Sequence, residues 1–326
     1  MRDLTTLPKA HLHLHLDGAM RRSTLTEFAA AAGIDAPLPT GYGSFADFTD
    51  TITAAARSLR TAENARRLVT EVVQDAAAAG AVWVEPSMWP GLFGGRLGPD
   101  PDVVDLVLEA GHAAAARSGI GFGLVLAANR NVGPEAALDI ARLAVARSDA
   151  GVVGLGLDGD EATAAPELFA KAFDHAAAAG LRCVPHAGEL CGPDSVRAAL
   201  DLLHADRIMH GVRAVEDPAL LARLSESGVA LDVCPTSNVL LSVVPSLAEH
   251  PLPALLAAGV RCGVHADDPL LFDTDLAGEY ERCRTGLGLD DTALAALVRT
   301  SVDASAAPDP VRRAARLGID AWLASD

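Results

Sequence analysis

The sequence predicts an α/β protein: a (β/α)8 barrel with a helical insertion after strand 1 and extra helices at the C-terminus. Three observations predict it. Eight short runs rich in β-branched and other apolar residues each end in a polar or glycine-rich turn. A helical pattern lies between most of them, which is the alternation of a parallel barrel. The histidines and carboxylates fall at the ends of these runs, where a barrel builds its site. The alternative is a doubly wound open sheet, but no GxGxxG fingerprint follows the first run.

The strand-like runs are Ala10–Asp17, Ala81–Ser87, Gly121–Asn129, Gly151–Gly159, Arg182–Glu189, Arg207–Gly211, Ala230–Asn238 and Arg261–Pro269. Clear helical stretches are Pro101–Ser118, Pro134–Ser148, Pro166–Ala179, Pro193–His204, Asp217–Ser227 and Pro251–Ala258. Proline near their starts fits capping preferences, as do Gly180, Gly228 and Gly259 just past helix ends. Residues 18–80 form an unusually long first connection, with helical patterns at Arg22–Ala32, Ser44–Arg57 and Ala62–Ala79. They read as an inserted helical lid on a single barrel domain spanning 1–326. In it, Phe45, Phe48 and Ile52 share one helix face. A C-terminal helical region begins near Asp290 and includes Asp309–Leu323.

Composition narrows the partners. Half of the 326 residues are hydrophobic, enough for a sizeable core. A net charge of −17 argues against nucleic-acid and anionic-membrane partners. The five cysteines are scattered, with no CxxC pair, so neither a disulfide framework nor a cysteine-based zinc site is expected. The N-terminus lacks the apolar core of a signal peptide, and the expected setting is the cytoplasm.

The chemistry lies in HLHLHLDGA, His11 to Ala19. Residues two apart on a strand share a face, so His13 and His15 can converge on one ion. Each such step climbs about 6.6 Å, which puts Asp17 higher. His11 lies one step deeper, as a residue that fills the barrel or backs the metal ligands. Strand five ends in His186 and Glu189, strand six in His210, strand seven in CPTSN (Cys234–Asn238), strand eight in Asp267 and Asp268. Three imidazoles and a carboxylate suit one Zn²⁺ with an open position for water, whose pKa would fall to about 7. Glu189 is then free to donate and accept a proton.

At these residues the chain resembles the adenosine deaminase family, within the metal-dependent amidohydrolases. The resemblance rests on PKAHLHLHLDGA (Pro8–Ala19), GLGLDGDE (Gly154–Glu161), HAGE (His186–Glu189), RIMHG (Arg207–Gly211), CPTSN and HADDP (His265–Pro269). It implies zinc on His13, His15, His186 and Asp267, with Glu189 protonating purine N1 as hydroxide attacks C6. His210 would orient the nucleophile, Asp268 would bond N7, the Gly159 backbone N3, and Asp17 a ribose 5′-hydroxyl. Phe45, Phe48 and Ile52 are similar in spacing to the family's apolar lid. The implied catalytic set is Glu189, His210 and Asp267, and the implied activity is deamination of adenosine or 2′-deoxyadenosine, with an aminopurine as partner and an oligomer possible.

The chain also departs from the family pattern. His11 stands where glutamate is usual, and HADDP replaces NSDDP or NTDDP. GLGLD is closer to the branch acting on free adenine, while Asp17 is not. Two alternatives follow: a deaminase of free adenine or of a 5′-modified adenosine such as aminodeoxyfutalosine or methylthioadenosine, and a non-catalytic zinc or nucleoside-binding protein. Trp89 and Phe93, in the loop Ser87–Arg96, border the substrate or simply pack.

Overall fold

The computed structural model describes residues 1–36, 41–93 and 95–325. Its strands are β1 (Lys9–His11), β2 (Ala81–Val84), β3 (Ser87–Met88), β4 (Gly121–Phe122), β5 (Leu124–Asn129), β6 (Val152–Asp158), β7 (Arg182–Ala187), β8 (Arg207–His210), β9 (Ala230–Val233) and β10 (Cys262–Val264). All pair in parallel, β1 with β2 and β2 with β4, then β3 through β5, β6, β7, β8 and β9 to β10. β2 and β3 are two halves of the second barrel strand, and β4 and β5 of the third. A bridge from His15 to Ser87 carries the first strand upward along β3. A second bridge, Leu14 to Asp267, brings the eighth strand beside the first, through His15 N–H to Asp267 O (2.9 Å) and Asp267 N–H to His13 O (3.1 Å). This is the (β/α)8 architecture expected from the alternation.

The helices are α1 (Arg22–Ala32), α2 (Phe45–Ala56), α3 (Ala62–Ala78), α4 (Asp100–Ser118), α5 (Pro134–Ala146), α6 (Ala170–Ala178), α7 (Pro193–Leu202), α8 (Pro218–Ser227), α9 (Pro235–Leu240), α10 (Leu252–Ala257), α11 (Pro269–Phe272), α12 (Leu276–Gly286), α13 (Asp291–Ala304) and α14 (Asp309–Ala324). Their ends follow local chemistry. Thr61 and Asn64 form a reciprocal capping box on α3, and Asp217 caps α8 ahead of Pro218. In the insertion, α3 packs on α4 and β2, whereas α2 lies over the turn after the first strand. α13 packs on β1 and β10. No helix among the described residues is long and apolar enough to cross a membrane.

The structure corrects several boundaries. The first strand pairs regularly only to His11, and Asp17 opens a 3₁₀ turn, Asp17–Ala19, instead of ending a strand. Gly18 permits that turn: a Cβ there would fall 1.7 Å from Asp268 Oδ1. The seventh strand stops at Val233, and PTSN is the first turn of α9, because Pro235 lacks an N–H to extend the ladder and has φ preset for a helix. The eighth strand stops at Val264, and Asp267 takes φ +59°. The helix after strand four starts as a 3₁₀ turn, Pro166–Phe169. The short helices α9 and α11, and α12 with its weak apolar stripe, had no clear periodicity to announce them.

Candidate active site

The polar residues at the strand ends converge. His13 Nε2 lies 3.1 Å from Asp267 Oδ1, and His15 Nε2 lies 3.3 Å from the same oxygen. His15 Nε2 and His186 Nε2 are 3.2 Å apart. Two ligands at about 2.05 Å from a tetrahedral ion sit about 3.3 Å apart, so these spacings match a common ion.

The hydrogens on the rings decide what fits between them. His13 Nδ1–H donates to the carbonyl of Asp232 (3.1 Å), and His186 Nδ1–H to that of Leu157 (3.1 Å). The Nε2 atoms of both rings are therefore lone pairs. Asp158, at the end of β6, faces His186 Nδ1 at 3.2 Å and His15 Nδ1 at 3.5 Å. It orients the His15 ring so that Nε2 faces Asp267 and His186, and this nitrogen becomes a ligand once it gives up its proton. Ligand atoms of His13, His186 and Asp267 lie within 4.8 Å of one another, and His13 Nε2 lacks any hydrogen-bond partner, an arrangement that suits a cation. The residues present fit a metal ion. Burial opposes charge on His15, but Asp158, Asp268 and Asp267 around it raise its pKa well above the usual value. Burial likewise opposes charge on Asp267, yet His13 and His15 hold its carboxyl well below the usual range.

Glu189 stands beside this cluster, its Oε1 3.4 Å from His210 Nε2. Burial, then Asp267 and Glu161, push its pKa well above the ordinary carboxyl value. The turn carrying Glu189 is pinned by opposite charges on opposite sides. Glu161 accepts from the backbone N–H of Gly188 (2.6 Å), Glu189 (3.1 Å), Leu190 (2.8 Å) and Cys191 (2.8 Å), and from the Ser195 hydroxyl. Arg130 donates to the carbonyl of His186 (2.8 Å) and Arg213 to that of Leu190 (2.6 Å). At Gly188 (φ +69°) a side chain would also strike Val196.

Above the cluster lies a cavity of about 250 Å³. His15, His186, Asp267, Glu189 and His210 form its floor, Asp17, Gly159 and Asp268 its sides, and Phe45, Phe48 and Ile52 of α2 its roof. His13 lies beneath this lining, fully buried. Thr49, Thr53, Asn129 and Asn131 add a polar rim, and Trp89 lines the wall while Phe93 packs in the core. Burial raises Asp17 to about 6, and raises Asp268 well above the carboxyl range, with Asp267 and Asp17 adding to the effect. A larger cavity of about 410 Å³, between α3 and the turn into α12, contains none of the cluster residues.

The adenosine deaminase family model matches residues 8–322, nearly the whole chain. The chain belongs to the adenosine deaminase family. It is accordingly a hydrolytic deaminase acting on a C–N bond. A Streptomyces virginiae protein provisionally named adenosine/adenine deaminase is 45% identical, over 99% of this chain and 98% of that protein. Among solved structures, the adenine deaminase of Arthrobacter aurescens superposes with a TM-score of 0.91 at 30% identity, covering 98% of this chain and 99% of the other. An amidohydrolase from Burkholderia ambifaria, solved with bound Zn, has a TM-score of 0.87 at 29% identity and coverages of 99% and 94%.

Several residues of this deaminase site were not singled out for a role by sequence reasoning. Asp158 lies near the end of the fourth strand-like run, Gly151–Gly159, and Glu161 is the last letter of GLGLDGDE. Arg130 gave no signal, since a lone arginine after a strand is ordinary. Asn238 was seen within CPTSN, but its helical setting was not.

Proposed function

We propose that this family member is a zinc-dependent deaminase of a 6-aminopurine nucleoside, converting adenosine or 2′-deoxyadenosine to the 6-oxopurine with release of ammonia. The observation that carries it is the juxtaposition of the buried Glu189 carboxyl with the Nε2 atoms of His13, His15 and His186 and the carboxylate of Asp267. Those four residues would hold one Zn²⁺ per chain. Bound there, zinc supplies the Lewis acidity that makes water a nucleophile at neutral pH.

The remaining steps belong to the chain's own groups. Glu189 gives its proton to purine N1, which makes C6 electrophilic. Water's oxygen adds to C6, directed by His210 and Asp267, and one of its protons returns to the Glu189 carboxylate; the other passes to the amino group, so that the C6–N bond breaks with loss of ammonia and C6 becomes the oxo carbon. N7 is an acceptor, so a protonated Asp268 suits it, and the Gly159 backbone meets N3. Asp17 and the polar rim receive the ribose, with the 5′-hydroxyl on Asp17. Phe45, Phe48 and Ile52 exclude water above the base.

A second reading, free adenine as substrate, is favoured by the likeness to the Arthrobacter aurescens enzyme. An ultraviolet deamination screen of adenine, adenosine, 2′-deoxyadenosine, 5′-methylthioadenosine and aminodeoxyfutalosine, with metal analysis of the same sample, separates the two. Turnover of adenosine or 2′-deoxyadenosine with one zinc per chain is expected. Turnover of adenine alone would remove the ribose role of Asp17.

A further inference from the structure

Two buried side chains stand in line behind His210, first Asn238 on α9 and then His250 before α10, and neither lines the cavity. The hydrogens along this line follow from one fixed donor. The backbone N–H of Leu252 donates to His250 Nδ1 (3.1 Å). That nitrogen is the ring's acceptor, so the neutral ring carries its proton on Nε2. Burial, which pushes His250 down to about 4, keeps the ring neutral. Its Nε2 faces Asn238 Oδ1 at 3.1 Å, so the amide oxygen accepts. The other end of the amide is then fixed: Asn238 Nδ2 faces His210 Nδ1 at 3.3 Å and donates to it. His210 therefore carries its proton on Nε2, which faces Glu189 Oε1 at 3.4 Å and Asp267 Oδ2 at 3.7 Å. Reversing any one link would set two donors or two lone pairs against each other where water does not reach.

The tautomer matters because of where His210 sits. Ligand atoms of His13, His186, His210 and Asp267 all lie within 4.8 Å of one another. A lone pair on His210 Nε2 would compete for a metal ion, whereas an N–H there cannot. We propose that Asn238 and His250 are positioning residues that hold His210 as an Nε2–H donor, facing the attacking oxygen and kept out of the metal's coordination. This rests on the reading of His210 as the group that directs the nucleophile. His210 also takes φ +66°, a left-handed conformation uncommon for a residue with a side chain. The line behind it helps hold the ring in that orientation.

The test uses the full-length zinc-loaded protein with ¹⁵N-labelled histidine. The native protein should show His210 protonated on Nε2 and bare on Nδ1. Asn238→Asp offers a second acceptor in place of the NH2, and should move the proton to Nδ1. It should lower kcat by about 10²- to 10⁴-fold, the scale of a misdirected proton-handling group, reaching its upper end for a histidine held in the wrong tautomer, with a much smaller change in KM. His250→Leu should lower kcat in the same direction. His250→Gln should restore most of it, because glutamine offers an oxygen to Leu252 N–H and an NH2 to Asn238. A native His210 protonated on Nδ1, or equal impairment of His250→Leu and His250→Gln, would overturn the relay. Unchanged kcat in His210→Ala would instead remove the role of His210, while the ¹⁵N spectrum still decides the tautomer.

Discussion

His11 and His265 each accept a hydrogen bond from the backbone N–H of the residue that follows the other, across the seam between the first and eighth barrel strands. Leu12 N–H donates to His265 Nδ1 (3.2 Å), and Ala266 N–H donates to His11 Nε2 (3.3 Å). The two rings lie parallel, with centroids 6.0 Å apart and planes 9° from one another. Two imidazoles thus accept the backbone N–H groups that a ladder would otherwise pair. The residue after each bonded N–H is a proposed metal ligand, His13 or Asp267.

His265→Leu leaves the Leu12 N–H buried and unpaired, and should cost about 1–3 kcal/mol. A lower urea midpoint is the expected readout, with faster loss of zinc to a chelator. His11→Ala should act in the same direction. Native stability and native zinc retention in both variants would show that the seam closes without them.

Glu161 should matter to turnover through Glu189 alone. Glu161→Gln places an NH2 among four backbone donors and loosens the turn. A displacement of about 1 Å can cost about 10²-fold in rate, so kcat should fall on that scale with metal content unchanged. Glu189→Gln should keep zinc and lose about 10²- to 10⁴-fold. In that background Glu161→Gln should add little. An equal further loss there would show that Glu161 acts on something other than Glu189, and full turnover of Glu189→Gln at normal zinc would sink the role of Glu189.

Metal binding should release a proton. Ligands must be deprotonated to bind, and His15 in the metal-free protein holds its proton to a pH well above the usual histidine value. Apparent zinc affinity should therefore rise with pH through that raised value and level off above it. About one proton per zinc should appear at pH 7, seen by titration calorimetry in buffers of different ionisation enthalpy. The linkage has the opposite sign for the metal-free fold. The stability from this proton is complete below the unfolded histidine value of about 6.5 and is lost as pH rises through the folded one. Heats independent of the buffer would contradict the assignment.

Arg207 joins two carboxylates in the buried interior of the barrel. Its Nη1 lies 2.8 Å from Glu85 Oε2 and its Nε 2.7 Å from Asp232 Oδ2, all three side chains being at most 1% exposed. Arg207→Met leaves both acids without their cation. A loss of about 3–5 kcal/mol in chemical denaturation is expected. A loss under about 1 kcal/mol would show that the pair takes up protons at little cost.

By itself the sequence determined the alternation of strands and helices, and with it which ends of the strands share one rim. His13, His15, His186, Asp267 and Glu189 were legible there because strand periodicity and strand ends are local properties. The same reasoning placed Phe45, Phe48 and Ile52 on one face of α2. It could not say that the first strand would lose its regular pairing at His11, or that PTSN would start a helix. Nor could it find what each group faces. His265 reaches Leu12 across 253 residues of chain, Asp158 clamps rings from two other strands, and His250 sets a proton on His210 through Asn238. Those relations were decided only by the tertiary structure, because a buried polar atom must find its partner in space, wherever in the chain that partner lies.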